Sequence, residues 1–226
     1  MLLANLSYAQ NRRVLNLPTY DKQIIHFGFI LGVNSYNFIA KPIRDFRLVD
    51  SLMVIEPIPA PGFTLGIVSN LHLGDNFDLR FLPQLTFAER TLQYSIRTTK
   101  NGQTSIKQFD KKVESTLLEL PVLFKFKSAR VNNARAYLIG GAKYAIDLAS
   151  QKDVNDKGEK LIKLKKNDIV FELGFGLDFY LEYFKFSPEI KMSYGINDLL
   201  IREGNIFTDP LSRLTSKAFY FSFYFE

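Results

Sequence analysis

The sequence has no cysteine, no tryptophan and only two histidines in 226 residues. Without cysteine there can be no disulfide, no thiolate metal site and no cysteine nucleophile, although that absence alone does not fix a compartment. There is also no run of about 18 consecutive apolar residues, which excludes a membrane-spanning helix. Strands that cross a membrane escape that test, because they show only as alternating segments of about ten residues. Nucleophile motifs, phosphate-binding loops and metal-ligand spacings are missing too. The sequence therefore assigns no catalytic, cofactor-binding or metal-binding residue, and the expectation is a protein that is not an enzyme.

What is present is a basic, aromatic chain. Lys and Arg exceed Asp and Glu by 29 to 23, giving a formal charge of +6 and a pI near 9.3. The cations are spread over the chain rather than gathered in a stripe, so no nucleic acid is expected and an anionic membrane surface suits the charge better. No small-molecule substrate is indicated. Twenty-one phenylalanines and eleven tyrosines leave the interfacial aromatic role to Phe and Tyr.

The last stretch, Lys217 to Glu226, organises the reading. Taken two residues at a time, it puts Phe219, Phe221, Phe223 and Phe225 on one face and Ala218, Tyr220, Ser222, Tyr224 and Glu226 on the other. One face wants hydrocarbon and the other wants polar partners, which a transmembrane barrel supplies on its outside and inside. The same inversion recurs in seven further segments: 24–36, 62–73, 77–92, 113–126, 134–148, 168–179 and 184–194. The connections after strands one, three, five and seven are long and the others short, as in an outer-membrane barrel with both termini in the periplasm. Pro121, which has no N–H to donate, predicts a bulge in the fourth strand. The fold expected is an eight-stranded antiparallel up-and-down transmembrane β-barrel with a polar lumen filled by side chains, in the cell outer membrane.

Three parts make up the chain in this reading. Residues 1–9 read as the remnant of a signal peptide, with Ser7-Tyr8-Ala9 in the small-x-small form of a cleavage site; an ordinary frayed terminus is the alternative. Residues 10–23 form a polar periplasmic lead and 24–226 the barrel.

The facing is decided by charge. A Lys or Arg at the bilayer midplane costs about 2–4 kcal/mol, and the middle of the phenylalanine face carries none. Only Glu89 and Lys217 lie on it, near the strand ends. The opposite face holds Asp78, Glu119, Asp147, Asp168, Glu172, Asp178, Glu189 and Glu226 with Arg80, Arg90, Lys125, Lys127, Arg135, Lys143, Lys185 and Lys191. In an eight-stranded barrel, balanced charges should pair across the lumen and plug it, because an unpaired buried charge is heavily penalised. A soluble lipid-carrier barrel would need the reverse facing.

His26 and His72 fall on the inward face at the level of Asp78 and Glu226. A hydrogen-bonded floor is favoured there over a metal site. An outer-membrane enzyme with residues at the loop bases, and lipopolysaccharide contacts by the lysine-rich loop 149–167, are weaker alternatives. The first long segment, 37–60, holds Leu52-Met53-Val54-Ile55 and runs on through Ile58-Pro59-Ala60 to Pro61. It is too apolar for a free loop and is expected to pack on other loops or a partner.

Several segments together resemble a known family. They are Asn16-Leu17-Pro18-Thr19-Tyr20-Asp21-Lys22, Ile25-His26-Phe27-Gly28-Phe29, Leu31-Gly32-Val33-Asn34, Glu119-Leu120-Pro121-Val122-Leu123, the run from Glu172 to Asp178, and Ser187-Pro188-Glu189-Ile190. They are similar to the PorT family, small outer-membrane barrels of the type IX secretion system of Bacteroidetes-type bacteria. The likeness covers nearly the whole chain after residue 9, and its most specific part is the lead into the His26 strand. It implies an accessory or assembly role in export or maturation of secreted cargo, with no catalytic residues. It also implies partners among other secretion-system proteins, beside the outer-membrane lipids and lipopolysaccharide that the barrel and its basic charge lead one to expect. A generic surface-binding or structural barrel is the alternative.

Overall fold

The computed structural model describes residues 15–43, 52–100, 103–149, 162–202 and 207–226. After a short 3-10 turn, Tyr20–Lys22, come nine strands: β1 (Ile25–Pro42), β2 (Leu52–Gly74), β3 (Phe77–Phe81), β4 (Gln84–Lys100), β5 (Gln103–Lys127), β6 (Ala134–Asp147), β7 (Asn167–Tyr180), β8 (Lys185–Gly195) and β9 (Leu211–Phe225). Every pairing is antiparallel, and β1 pairs both β9 and β2, so the sheet closes on itself. β3 and β4 both lie between β2 and β5. They are two segments of one stave, and the ring has the eight staves that the alternation predicts.

The break between β3 and β4 has a simple cause. Pro121 has no N–H to give to Leu82, and Pro83, whose carbonyl faces Ile67 of β2, has none to give on that side, so this stave loses one ladder bond toward each neighbour. Phe81 pairs Val122 and Gln84 pairs Glu119, so the same register holds on both sides of the gap. The carbonyls of both prolines are satisfied, by Leu82 N–H at 3.1 Å and Ile67 N–H at 3.0 Å. The bulge expected at Pro121 is therefore absent: β5 also runs past it against β6 without a shift.

Strand ends are where the sequence misleads. The expected long segment 37–60 is largely strand, as β1 continues to Pro42 and β2 begins at Leu52. The polar stretch 93–112, expected as a loop, continues β4 and β5 as one hairpin paired from Arg90 and Val113 out to Lys100 and Gln103. β1 and β2 part company at Tyr36 and Ala60. Beyond that point β1 stays with β9, while β2 follows β4 after a register shift between Pro59 and Phe63. At this end, therefore, β2, β4 and β5 form a three-stranded ribbon that overshoots the ring.

The pleat sends alternate side chains to opposite sides, and the sides differ as expected. Outward residues are apolar and exposed: Phe27 is 68% accessible, Leu173 60% and Phe175 53%. Neighbouring rings on this surface meet along the ladders, Phe29 stacking on Phe225 at 4.8 Å and Phe63 on Phe87 at 4.5 Å. Inward residues are buried and mostly polar. Apolar patches interrupt them, a small one of Ala88, Leu117 and Ala218 beside the rings of Tyr36 and Tyr220 and two larger ones. One is a mid-lumen cluster of Ile30, Val68, Leu82, Leu123, Ile139 and the rings of Tyr137 and Tyr224. The other closes the mouth at the loop end.

Candidate functional site: the sealed lumen

The lumen is built in three tiers, starting at the end that carries the short turns. There the described part of the polar lead, from Leu15, folds against the ring as a floor. Asp21 accepts from Tyr180 Oη at 2.8 Å and pairs with Arg135 at 3.2 Å. Asn16 donates to the Tyr180 carbonyl at 3.0 Å, and Arg130 lies over the Tyr180 ring at 3.7 Å. Tyr20 stacks on His26 at 4.1 Å, and its hydroxyl donates to Glu226 Oε2 at 3.4 Å. Burial, followed by the Glu226 carboxylate, pushes the Tyr20 phenol well above its ordinary value, so it stays a donor.

Both histidines join this floor but not each other. His26 Nε2 lies 2.6 Å from the Tyr20 carbonyl, and His72 Nδ1 lies 3.1 Å from Asp78 Oδ1. Among the described residues no group of three His, Asp or Glu side chains is placed to hold a metal ion.

The middle tier is an ion-pair network. Arg80, with a fully buried side chain, reaches from β3 across the lumen to Glu189 on β8 at 3.2 Å and to Glu226 at 3.1 Å. In the ring order β3 and β8 stand opposite each other, so this one guanidinium ties the two walls together. Glu189 also accepts from Tyr137 and Tyr224, each at 2.7 Å. Lys125 binds both oxygens of Asp178 at 2.8 Å, Lys127 pairs Asp78 at 2.6 Å, and Lys185 pairs Glu226 at 2.9 Å.

Further up, Glu119 accepts from Tyr36 and Gln84 at 2.6 Å each and from Thr86 at 2.7 Å, and it pairs with Lys143 at 2.7 Å. Lys143 bridges on to Glu172 at 2.9 Å, and Lys191 lies 3.6 Å from Glu172. A charge held in this way keeps its desolvation cost covered by partners. The net gain in stability over an apolar filling is small, but the loss of any one partner is expensive.

The upper tier turns from polar to apolar. Arg90 donates to Ser115 at 2.5 Å, Ser115 donates to Asp147 at 2.7 Å, and Asp168 accepts from Ser216 at 2.6 Å. A cavity of about 20 Å³ lies among Arg90, Asp147, Asp168 and Ser216, room for a single water. Above it Ile162, Leu164, Leu199, Leu200 and Phe207 from the connecting segments pack against Phe38, Leu92, Tyr94 and Leu214 of the strands. Leu164 and Leu200 form an isolated bridge, and Tyr94 Oη donates to the Phe207 carbonyl at 2.9 Å. Asp198 braces this cap: burial works against its charge, but the N–H groups of Leu214 and Leu200 and the Arg202 guanidinium hold its carboxyl below the usual range.

All sixteen charges read as inward from the alternation are in the lumen. Fourteen pair with one another, Arg135 pairs with Asp21, and Asp168 has its serine. A hydrogen-bonded floor at His26 and His72 was expected from the sequence, but the part that residues 16–21 play in it was not, and neither was the cap. The Leu199-Leu200-Ile201 trio inside a supposed loop was the available signal for the cap. For the floor it was Pro18 and Tyr20 just ahead of a strand. Of the lysine-rich loop, residues 150–161 lie outside the described residues, as do Arg12 and Arg13 and the proposed cleavage site.

Among curated proteins, none matches the sequence. Solved structures that resemble it include Neisserial surface protein A, 11% identical over 90% of this chain and 99% of that one, with a TM-score of 0.45. The outer membrane protein OprG from Pseudomonas aeruginosa is 13% identical over 88% of this chain and 92% of its own, with a TM-score of 0.39. The family model described as outer membrane protein beta-barrel domain matches residues 8–200. That match covers most of the chain and agrees with a closed antiparallel ring turned apolar side out: the protein belongs to the outer membrane protein beta-barrel domain family and resides in the outer membrane.

Proposed function

We propose that this barrel is an accessory or assembly component of a type IX protein secretion system, needed for export or maturation of secreted cargo. The observation that carries the reading is the sealed lumen. Among the described residues, a floor, an ion-paired waist and an apolar cap fill the lumen, which favours action through the surfaces. The resemblance of residues 16–34 to the PorT family supplies the system in which it acts. Its partners would be other proteins of that machinery, met through the stretch around Arg12 and Arg13, the segment of β2 from Val54, or the apolar wall. In this reading it is not an enzyme and takes no small-molecule substrate.

Deleting the gene should block cargo export, while the purified protein in planar bilayers should conduct no ions. Normal export in the deletion strain would remove the proposal. A second reading, a surface-binding module, is favoured by the ribbon of β2, β4 and β5, on which Ile106 and Phe109 stand exposed. Shortening that ribbon would then abolish ligand binding and leave export intact.

A further inference from the structure

The outward face of the β1–β9 ladder changes character near the loop end. From Phe29 and Phe225 up to Ser35 and Phe219 it is almost wholly apolar. The next outward pairs are Asn37 with Lys217, Ile39 with Thr215, and Lys41 with Arg213. Lys41 and Arg213 are thus like charges directly opposite on one ladder, an arrangement that is destabilising unless something anionic lies between them. Among the described residues no carboxylate comes within ion-pairing distance of either. Asp198, in the adjoining segment, is taken up by Arg202 at 2.9 Å and by the N–H groups of Leu200 and Leu214.

The two cations flank a groove with a volume of about 160 Å³, lined by Ile39, Lys41, Gly195, Arg213 and Thr215. Arg213 is aimed by a hydrogen bond to the Ile196 carbonyl. Lower down, the Lys217 ammonium lies 5.5 Å from the centre of the Tyr194 ring and 5.2 Å from that of Phe219. A long cationic side chain lying on aromatic rings at the upper edge of a hydrocarbon-facing wall marks a membrane–water interface.

We infer that this groove binds the phosphate of a membrane lipid between Lys41 and Arg213, with the acyl chain running down the apolar ladder past Phe219 and Phe221. A guanidinium and an ammonium meeting one phosphate give charge-assisted hydrogen bonds of the stronger kind. The apolar ladder directly below selects a lipid over a free anion, because only a lipid also covers that wall. The inference rests on the barrel's place in the membrane and is independent of any role in secretion.

The test uses the full chain refolded in uncharged detergent micelles, with lipid retention read by native mass spectrometry. The probes are phosphatidylglycerol, diacylglycerol of the same chains, and inorganic phosphate. Phosphatidylglycerol should bind at least tenfold more tightly than diacylglycerol. Lys41→Gln with Arg213→Gln should erase that difference, and Lys41→Gln alone, which spares the bond to Ile196, should weaken it. Lys107→Gln with Lys112→Gln, an equal loss of charge on the ribbon, should leave it unchanged. The inference fails if the Lys41/Arg213 variant binds as the parent does, or if the ribbon variant loses as much, which would make the attraction diffuse. It also fails if inorganic phosphate displaces the lipid at equal concentration. A far-ultraviolet strand signature confirms that each variant is folded.

Discussion

Arg80→Met is the most searching test of the lumen. Methionine keeps much of the volume and removes the charge, leaving Glu189 on β8 and Glu226 at the end of the adjoining strand β9 without the guanidinium that lies 3.2 and 3.1 Å from them. Breaking a buried pair by removing one partner costs about 3–5 kcal/mol. Here the lower end applies, because Glu189 keeps two tyrosine hydroxyls and Glu226 keeps Lys185. We expect a loss of about 3 kcal/mol, and about 1–2 kcal/mol of it recovered when Glu189→Gln is added, since that change removes one of the two stranded carboxylates. Urea unfolding in lipid vesicles measures both, followed by circular dichroism and by tyrosine fluorescence, since the chain has no tryptophan. The denaturant slope should be unchanged, so that the midpoint alone reports stability. If Arg80→Met stayed within about 1 kcal/mol of the parent and the second change added nothing, the cross-lumen tie would not be holding the walls.

Other changes probe other parts. Phe175→Arg puts a cation on the hydrocarbon face in the middle of β7 and should cost about 2–4 kcal/mol in the same unfolding assay, whereas Phe175→Leu should cost little. Gly176→Ala points a methyl into the Tyr137 ring and should cost about 1–3 kcal/mol by overpacking, with Tyr137→Phe unable to relieve it because the ring itself is the obstacle. Leu200→Asp buries an unpaired carboxylate in the cap. Hydrogen exchange should then quicken across residues 196–202 while amides in the middle of β6 and β7 keep their protection.

The ring and its facing were legible because they depend on a period of two, which survives any tertiary context: Phe219 to Phe225 and Ile169 to Phe179 declare their side by themselves. The charge pairing was legible as a balance, eight of each sign, but not as partners. Which lysine meets which carboxylate depends on stagger between strands, and Arg80 reaching Glu189 joins residues that only closure of the ring brings face to face. Strand ends were illegible where polarity misled. Beyond Leu92 neither face of the hairpin meets hydrocarbon, so Lys107, Lys111 and Lys112 read as loop although their backbones pair to the tip. Pro121 signalled a bulge because the rule counts its missing donor alone; Leu82 opposite still donates to the Pro121 carbonyl, and that one bond is enough to carry the register past the proline without a slip.

Because the first half of β2 departs with β4 and β5 while β1 stays with β9, the rim of the barrel is lopsided. On the β7–β8 side the strands stop at Asn167 and Gly195, so among the described strands the wall there is a low sill. On the opposite side is a parapet whose β4–β5 part, from Glu89 to Lys100, stands on the order of 35 Å tall at about 3.4 Å per residue. A neighbour in the bilayer therefore meets walls of unequal height on the two bearings, with unpaired strand edges on the taller one.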